Sequence, residues 1–137
     1  MSKPRPCVFR LLVLALFLLA AGCGASRRGA AAGRVTLDGE PVEGGTITFI
    51  PAAAGQGQPA WADIVAGEYS LSASRGPAVG PNRVEIRWPR KTGRKAPYDP
   101  QLDEMREAIP DRYNRESELR VDVKPGRNRL DFELTGN

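Results

Sequence analysis

The sequence predicts an all-β protein, an antiparallel β-sandwich of about seven strands with one short helix in a long loop. Apolar and polar residues alternate in short segments, as they do in strands with one buried face. Glycine, proline, asparagine and aspartate cluster between these segments, where turns need them. No helical pattern is long enough to cover a parallel sheet, so an antiparallel sandwich is the expected architecture.

The first 22 residues have the organisation of an export signal. Three basic side chains precede an apolar run: Lys3, Arg5 and Arg10. That run, residues 11–21, is too short to span a bilayer as a helix. The following Leu19-Ala20-Ala21-Gly22-Cys23 resembles the lipobox of bacterial lipoproteins, with Ala20 where leucine is commonest. The resemblance implies a diacylglycerol thioether and an acylated amine on Cys23, with acyl chains such as palmitate; an ordinary secretory signal is the alternative.

The chain therefore divides into a signal peptide at 1–22, a lipidated cysteine with a flexible tether at 23–33, and a domain at 34–137. Residues 24–33 contain three glycines and no large apolar side chain, a composition typical of flexible linkers. Removing 22 of the 137 residues leaves one domain's length of chain. Gly24 after Cys23 is not an acidic retention signal, which favours the outer membrane within a bacterial cell envelope.

Composition excludes several classes of chemistry. There is no histidine, and Cys7 lies in the expected leader, so the mature chain lacks a histidine-ligated metal, a histidine-activated nucleophile and an intrachain disulfide. Three of the 20 basic residues also lie in the leader, which leaves 17 against 16 acidic ones and argues against nucleic-acid binding. Asp63 and Glu68 are the one acidic pair related by a turn, and solvation explains both. We expect no enzyme, cofactor or metal.

Seven segments show the alternation. Their inward positions are Val35 and Leu37, Ile47 and Phe49, Tyr69 and Leu71, Val84, Ile86 and Trp88, Leu119, Val121 and Val123, and Leu130, Phe132 and Leu134, together with the less regular stretch 60–65. The turn at Ala66-Gly67 predicts that 60–65 is the hairpin partner of the Tyr69 strand. The face shared with Val84 and Ile86 predicts that Trp88 packs in the core.

The long connection 89–118 is expected to hold the helix. Asp99 and Pro100 suit its N-cap and first turn, and Leu102, Met105 and Ile109 would share one face. The helix would end before Pro110. Later in the connection, the Tyr113 hydroxyl is expected to fasten the loop to the sheet.

Two segments carry a family resemblance. Gly39-Glu40-Pro41-Val42-Glu43-Gly44-Gly45-Thr46-Ile47-Thr48-Phe49 resembles the opening of carboxypeptidase regulatory-like (transthyretin-like) domains, and Gly67-Glu68-Tyr69-Ser70-Leu71 resembles their Tyr strand. Residues 80–86, 90–94, 109–114 and 117–132 are similar to small planctomycete-type lipoproteins with this domain. The resemblance implies a prealbumin-like sandwich on the envelope without established activity. The stretch 63–67 lacks the family's acidic turn, which leaves no basis for a calcium site.

Two groups of residues are candidate binding sites. Five cations lie within nine residues and suit a polyanion such as a phosphorylated glycan or acidic lipid: Arg87, Arg90, Lys91, Arg94 and Lys95. The alternative is a solvated loop whose cations face its own acids, which are Asp99, Asp103, Glu104 and Glu107. Trp61 and Tyr98 could stack on sugar rings if they are exposed and coplanar, and ordinary packing is the other explanation.

Together these observations predict a lipid-anchored envelope protein with a non-catalytic interaction or structural module. Its partners would be the membrane, through Cys23, and another envelope protein, reached by sheet edges or the 89–118 loop. The alternative function is a carbohydrate-binding module that uses exposed aromatic rings on an envelope glycan.

Overall fold

The computed structural model describes residues 27–136. Cys23 and the predicted signal peptide lie outside them. The described chain forms eleven strands: β1 (Ala30–Leu37), β2 (Glu40–Pro41), β3 (Thr46–Pro51), β4 (Ala60–Asp63), β5 (Glu68–Leu71), β6 (Gly80–Arg87), β7 (Pro89–Ala96), β8 (Asp99–Glu107), β9 (Arg120–Val123), β10 (Arg127–Arg129) and β11 (Phe132–Leu134). A single 3-10 turn covers Asp111–Tyr113, and residues 27–136 contain no α-helix.

The strands form two sheets and a separate hairpin. One sheet is antiparallel with the order β4-β3-β6-β9. The other is built around β1, which pairs with β5 and β2 in antiparallel fashion and with β10 and β11 in parallel. Strands β7 and β8 pair only with each other. The predicted all-β sandwich is confirmed, although alternation alone did not predict the two parallel pairings, because it specifies a strand's faces and not its direction.

The core lies between the two sheets. Phe49 of β3 meets Tyr69 of β5 with ring centroids 6.0 Å apart, and Tyr69 meets Phe132 of β11 at 6.4 Å. The Tyr69 hydroxyl donates to the Leu130 carbonyl at 2.7 Å, and burial raises the pKa of that hydroxyl. Other members of the core cluster are Val35, Ile47, Leu71, Val84, Ile86 and Leu134, and Trp88 packs against it half-buried. These are inward positions of the alternating segments.

The predicted pairing of 60–65 with the Tyr69 strand is wrong. Ala66 and Gly67 do form a tight turn with positive φ at both residues, closed by hydrogen bonds between Val65 and Glu68. Beyond that single bridge the chain changes sheets, since β4 pairs with β3 whereas β5 pairs with β1. A tight turn reverses the chain locally, and the pairing further along depends on which strand offers a free edge.

The predicted helix is also wrong, because Asp99–Glu107 is strand β8. Of the three residues expected on one helical face, Ile109 is buried, but Leu102 and Met105 are exposed. Such a helix would have needed a core to cover Leu102 and Met105. Pairing with β7 instead satisfies the backbone and places the acids of β8 opposite the cations of β7.

The domain begins before residue 34, so the predicted end of the tether is corrected. β1 starts at Ala30, and Ala31 is 1% exposed. A β-carbon on Gly33 would lie 1.9 Å from the Leu130 carbonyl oxygen, so this glycine allows β1 to approach its neighbour closely. Two of the small residues that suggested a flexible linker, Ala31 and Gly33, are instead closely packed in β1.

Candidate functional site

Three of the five predicted polyanion-binding cations lie in ion pairs across the β7–β8 hairpin. Lys91 and Lys95 contact Asp103 with N–O distances of 2.6 and 2.9 Å. Arg94 holds Glu104 through two nitrogens at 3.0 and 3.2 Å. The hairpin's own acids therefore neutralise much of its positive charge, as the solvated-loop alternative expected for Asp103 and Glu104.

These contacts shift the acids toward their charged forms. Hydrogen bonds from Arg94 and then Thr92 lower the pKa of Glu104 from its ordinary value of 4.5 to about 2. Hydrogen bonds from Lys91 and Lys95 lower the pKa of Asp103. Both carboxyl groups consequently stay ionised well below neutral pH, and their two charges offset two of the three positive charges on Lys91, Arg94 and Lys95.

The remaining two cations of that group lie at the base of the hairpin. Arg87 contacts Glu85 at 3.4 Å, and the Arg90 guanidinium lies 4.6 Å from the Trp88 ring centroid, over its face. The other two acids named in the sequence act on the backbone, since Glu107 accepts from the Trp88 amide at 2.7 Å and Asp99 from the Gln101 amide at 2.9 Å.

The hairpin also carries most of the exposed large apolar side chains of the described chain. Tyr98 at its tip is 89% exposed, and Leu102 and Met105 on β8 are 57% and 51% exposed. These three side chains lie on one element, whose two strands pair with no other strand of the described chain.

Trp61 lies in a groove that opens between β4 and β5. The ring is 56% exposed, and a recess of about 460 Å³ beside it is lined by Asp63, Ser70 and Arg75. A second recess of about 520 Å³ continues along the same strands past Asp63 and Glu68. Tyr98 lies instead in the turn of the hairpin. The two rings predicted for sugar stacking are therefore both exposed, but they lie on separate elements.

Tyr113 takes the fastening position predicted for it. Its hydroxyl lies 3.2 Å from the Thr135 hydroxyl and accepts from the Thr135 amide at 3.3 Å. The Arg112 guanidinium covers its ring at 4.8 Å. These contacts, with the hydrogen bonds from Thr135 first, lower the pKa of Tyr113 and tie the 3-10 turn to the end of β11.

A second basic surface, not predicted as a unit, lies at the opposite end of the sandwich from the hairpin. We call it the N-terminal end: residues 27–30, 72–80 and 123–128. The Gly29 amide donates to the Pro77 carbonyl at 2.9 Å, and the Ala30 amide donates to that of Gly126 at 2.8 Å. Asn128 donates to the carbonyls of Ala30 and Lys124, both at 2.9 Å. These hydrogen bonds thus join three separate stretches of sequence into one surface.

This N-terminal end contains five cations and no acid: Arg27, Arg28, Arg75, Lys124 and Arg127. The adjoining loop 52–59 is uncharged and attached through Gln56, which donates to the Val79 carbonyl at 3.0 Å. Lys124 contacts Asp122 just outside the surface, and Arg28 donates to the Gly76 carbonyl. Across residues 27–136, no ion pair involves Arg27, Arg75 or Arg127. No local sequence pattern marks this set, because its members are up to 100 positions apart.

Within 27–136 there is no group of three or more histidine, cysteine, aspartate or glutamate side chains placed to hold a metal ion. The described part of the chain also contains no helix with the length and apolar character needed to cross a membrane.

Comparisons with known proteins give one structural likeness. No family model matches the chain, and no curated protein matches it. The chain is similar to the crystal structure of a DUF3823 family protein from Parabacteroides merdae, with 16% sequence identity and a TM-score of 0.43. The match covers 79% of this chain and 46% of the other, so the chain spans about half the length of that protein.

Proposed function

We propose that the protein is a lipid-anchored component of a bacterial cell envelope, whose non-catalytic β-sandwich presents the β7–β8 hairpin to another envelope protein. The observation that carries the proposal is the exposure of Tyr98, Leu102 and Met105 on one projecting element. The transthyretin-like family resemblance is consistent with such a module and belongs to the same proposal.

The anchor is supported by the leader and by where the domain begins. Cys23 follows a charged start and a short apolar run in the order found in lipoproteins. Arg27, the first described residue, already contacts the sandwich, because its carbonyl accepts from the Val79 amide at 2.8 Å. Two or more acyl chains on Cys23 would make membrane attachment stable.

The hairpin suits contact with a protein because its exposed apolar residues lie on an ordered frame. Ion pairs from Asp103 and Glu104 join its strands, so little conformational freedom is lost when a partner binds. Aromatic and methionine side chains are enriched at protein interfaces, which favours a protein over a polar ligand here.

The anchor is tested by Cys23→Ser. We expect this change to abolish incorporation of a clickable fatty acid and to move the protein from the membrane fraction to the soluble fraction or to an unprocessed precursor. Fatty-acid labelling that persists in the variant would contradict the anchor.

The contact surface is tested by site-specific photo-cross-linking in intact envelopes. A benzophenone amino acid at position 98 is expected to give a discrete cross-linked product, whereas the same group at Glu133, on the exposed face of β11, gives none. Leu102→Ser with Met105→Ser should remove the product without lowering the protein's amount. A product unaffected by those two changes, or equal products at both sites, would contradict the proposed surface.

A carbohydrate-binding module is the second candidate, favoured by the exposed Trp61 in its groove. Indole rings stack on sugars, and Asp63, Ser70 and Arg75 supply hydrogen-bonding groups around the recess. Affinity electrophoresis in envelope polysaccharide distinguishes the two functions. Retardation that is lost in Trp61→Ala and kept in Tyr98→Ala would favour carbohydrate binding, and equal mobility of all three proteins would remove it.

A further inference from the structure

We infer that the N-terminal end of the sandwich docks on the anionic phospholipid surface of the membrane that holds the Cys23 anchor, so that the hairpin points away from the bilayer. This inference rests on the proposed anchor. It assigns a lipid contact to Arg27, Arg28, Arg75, Lys124 and Arg127, in place of the hairpin cations that sequence analysis had proposed for acidic lipid.

Chain length brings this end to the membrane. Three residues separate Cys23 from Arg27, and a fully extended chain covers at most about 14 Å over those four Cα–Cα steps. Arg27 is joined to Val79 and the neighbouring Arg28 to Ala78 and Gly76, so this part of the domain cannot swing away by itself. A lipid on Cys23 would therefore hold the N-terminal end within reach of the headgroups.

Charge favours contact once the surface is that close. Five cations share this end without an acid, and Asp122 beside it offsets one of them. Electrostatic attraction to anionic lipids extends over a screening length of about 8 Å at physiological salt. Arg27, Arg75 and Arg127 are exposed, and their charges are unpaired among the described residues, so they act at full strength on a nearby surface.

The same geometry fixes which way the hairpin points. Strand β6 runs from Gly80 at the N-terminal end to Arg87, which precedes the hairpin. At about 3.3 Å per residue its length is roughly 23 Å. Because four acids of the hairpin offset most of its five cations, the hairpin end presents a weaker positive field to the bilayer.

The test uses the full lipidated protein reconstituted into vesicles of phosphatidylcholine alone or with phosphatidylglycerol. A nitroxide is attached at Ser74→Cys, on the N-terminal end, or at Tyr98→Cys, on the hairpin, and collisions with a water-soluble nickel chelate are measured. We expect the Ser74 label to be shielded in the anionic vesicles and accessible in the neutral ones. The Tyr98 label should be accessible in both.

Charge removal supplies the matched controls. Arg27→Gln with Arg75→Gln and Arg127→Gln should return the Ser74 label to its accessibility in neutral vesicles, since three lost charges reduce the docked population roughly a hundredfold. Removing three hairpin charges, with Arg90→Gln, Arg94→Gln and Lys95→Gln, should leave the shielding intact. Equal Ser74 accessibility in both vesicle types, with the protein still sedimenting, would overturn the docking alone. Failure to sediment with either vesicle would overturn the anchor and the docking with it.

Discussion

The two ends of the sandwich are both rich in cations, but they differ in what surrounds those cations. On the hairpin and at its base, five basic residues lie within nine positions, and Asp103 and Glu104 pair with three of them from the paired strand, which offsets two positive charges. At the N-terminal end, five cations come from three stretches of chain, and within that surface there is no acid. Density of charge along a sequence is therefore a poor guide to the field that a folded surface presents, because strand pairing decides which charges meet.

The largest expected loss of stability comes from a change in the core, which joins the two ends of the sandwich. Phe132→Ala removes a ring that packs on Tyr69, and large-to-small changes of a buried phenylalanine cost about 3 to 5 kcal/mol. The neighbouring Glu133→Ala, on the exposed face of β11, should change the free energy of unfolding by less than about 0.5 kcal/mol. Urea denaturation measures both. Equal midpoints would show that the inward face of β11 is assigned wrongly.

A smaller loss of stability is expected from a change at the N-terminal end, and its effect should stay within that end. Asn128→Ala removes the side chain that joins Ala30 to the Lys124 turn and leaves carbonyls without partners, at a cost of about 1 to 3 kcal/mol. Hydrogen exchange should quicken at Ala30 while the hairpin amides stay as they were. Arg129→Ala, at the next position and exposed, serves as the control. Faster exchange at the hairpin as well would mean that the two ends are not independent.

The next change should give the hairpin unpaired positive charge, like that of the N-terminal end. Asp103→Asn with Glu104→Gln removes the two neutralising carboxylates while the cations remain. In the vesicle assay, the label at Tyr98→Cys should then become shielded by anionic lipid, because two added net charges shift the balance of orientations roughly 25-fold. Glu116→Gln with Glu118→Gln makes the same change in net charge outside the hairpin. Shielding of the Tyr98 label in that control would point to total charge as the cause.

The smallest effect is a pH dependence of the hairpin. The folded pKa of Glu104, about 2, lies below its ordinary 4.5, so its ion pair contributes stability above pH 4.5 and loses it as pH falls toward 2. Carbon NMR of the Glu104 carboxyl group should show no titration between pH 7 and 5 and a midpoint near 2. Arg94→Gln should move that midpoint up toward 4.5. A midpoint near 4.5 in the unaltered protein would contradict the pairing.

Sequence patterns predicted which side chains face the core, but they did not predict which strands pair with each other. Val84, Ile86 and Phe132 are buried as alternation requires, because a strand with one wet face leaves a period-two record in the sequence. No comparable sequence pattern identifies the strand that pairs with β5. Its pairing with β1 joins two segments far apart in the sequence, and neither segment carries a pattern that names the other.

The candidate surfaces could be predicted from the sequence only where their residues lie close together along the chain. The hairpin cations and the exposed Trp61 and Tyr98 stand out in the sequence, but Asp103 as a shared partner of two lysines appears only when β8 is a strand. The pattern of Leu102, Met105 and Ile109 favoured a helix because spacing by three and four is ambiguous in so short a segment. Arg27 and Arg127 come together through the parallel pairing of β1 with β10, for which no local signal exists.

The central position of β1 also determines when its sheet can form during folding. Its neighbours β10 and β11 follow it far along the chain, and the Asn128 contact with Ala30 spans 98 residues. Contacts between such distant segments form slowly, and here they cannot form at all until the C-terminal strands have left the ribosome. The sheet around β1 therefore closes only after β11 has been made, and until then the positions of β1 that pair with β10 and β11 lack their partners.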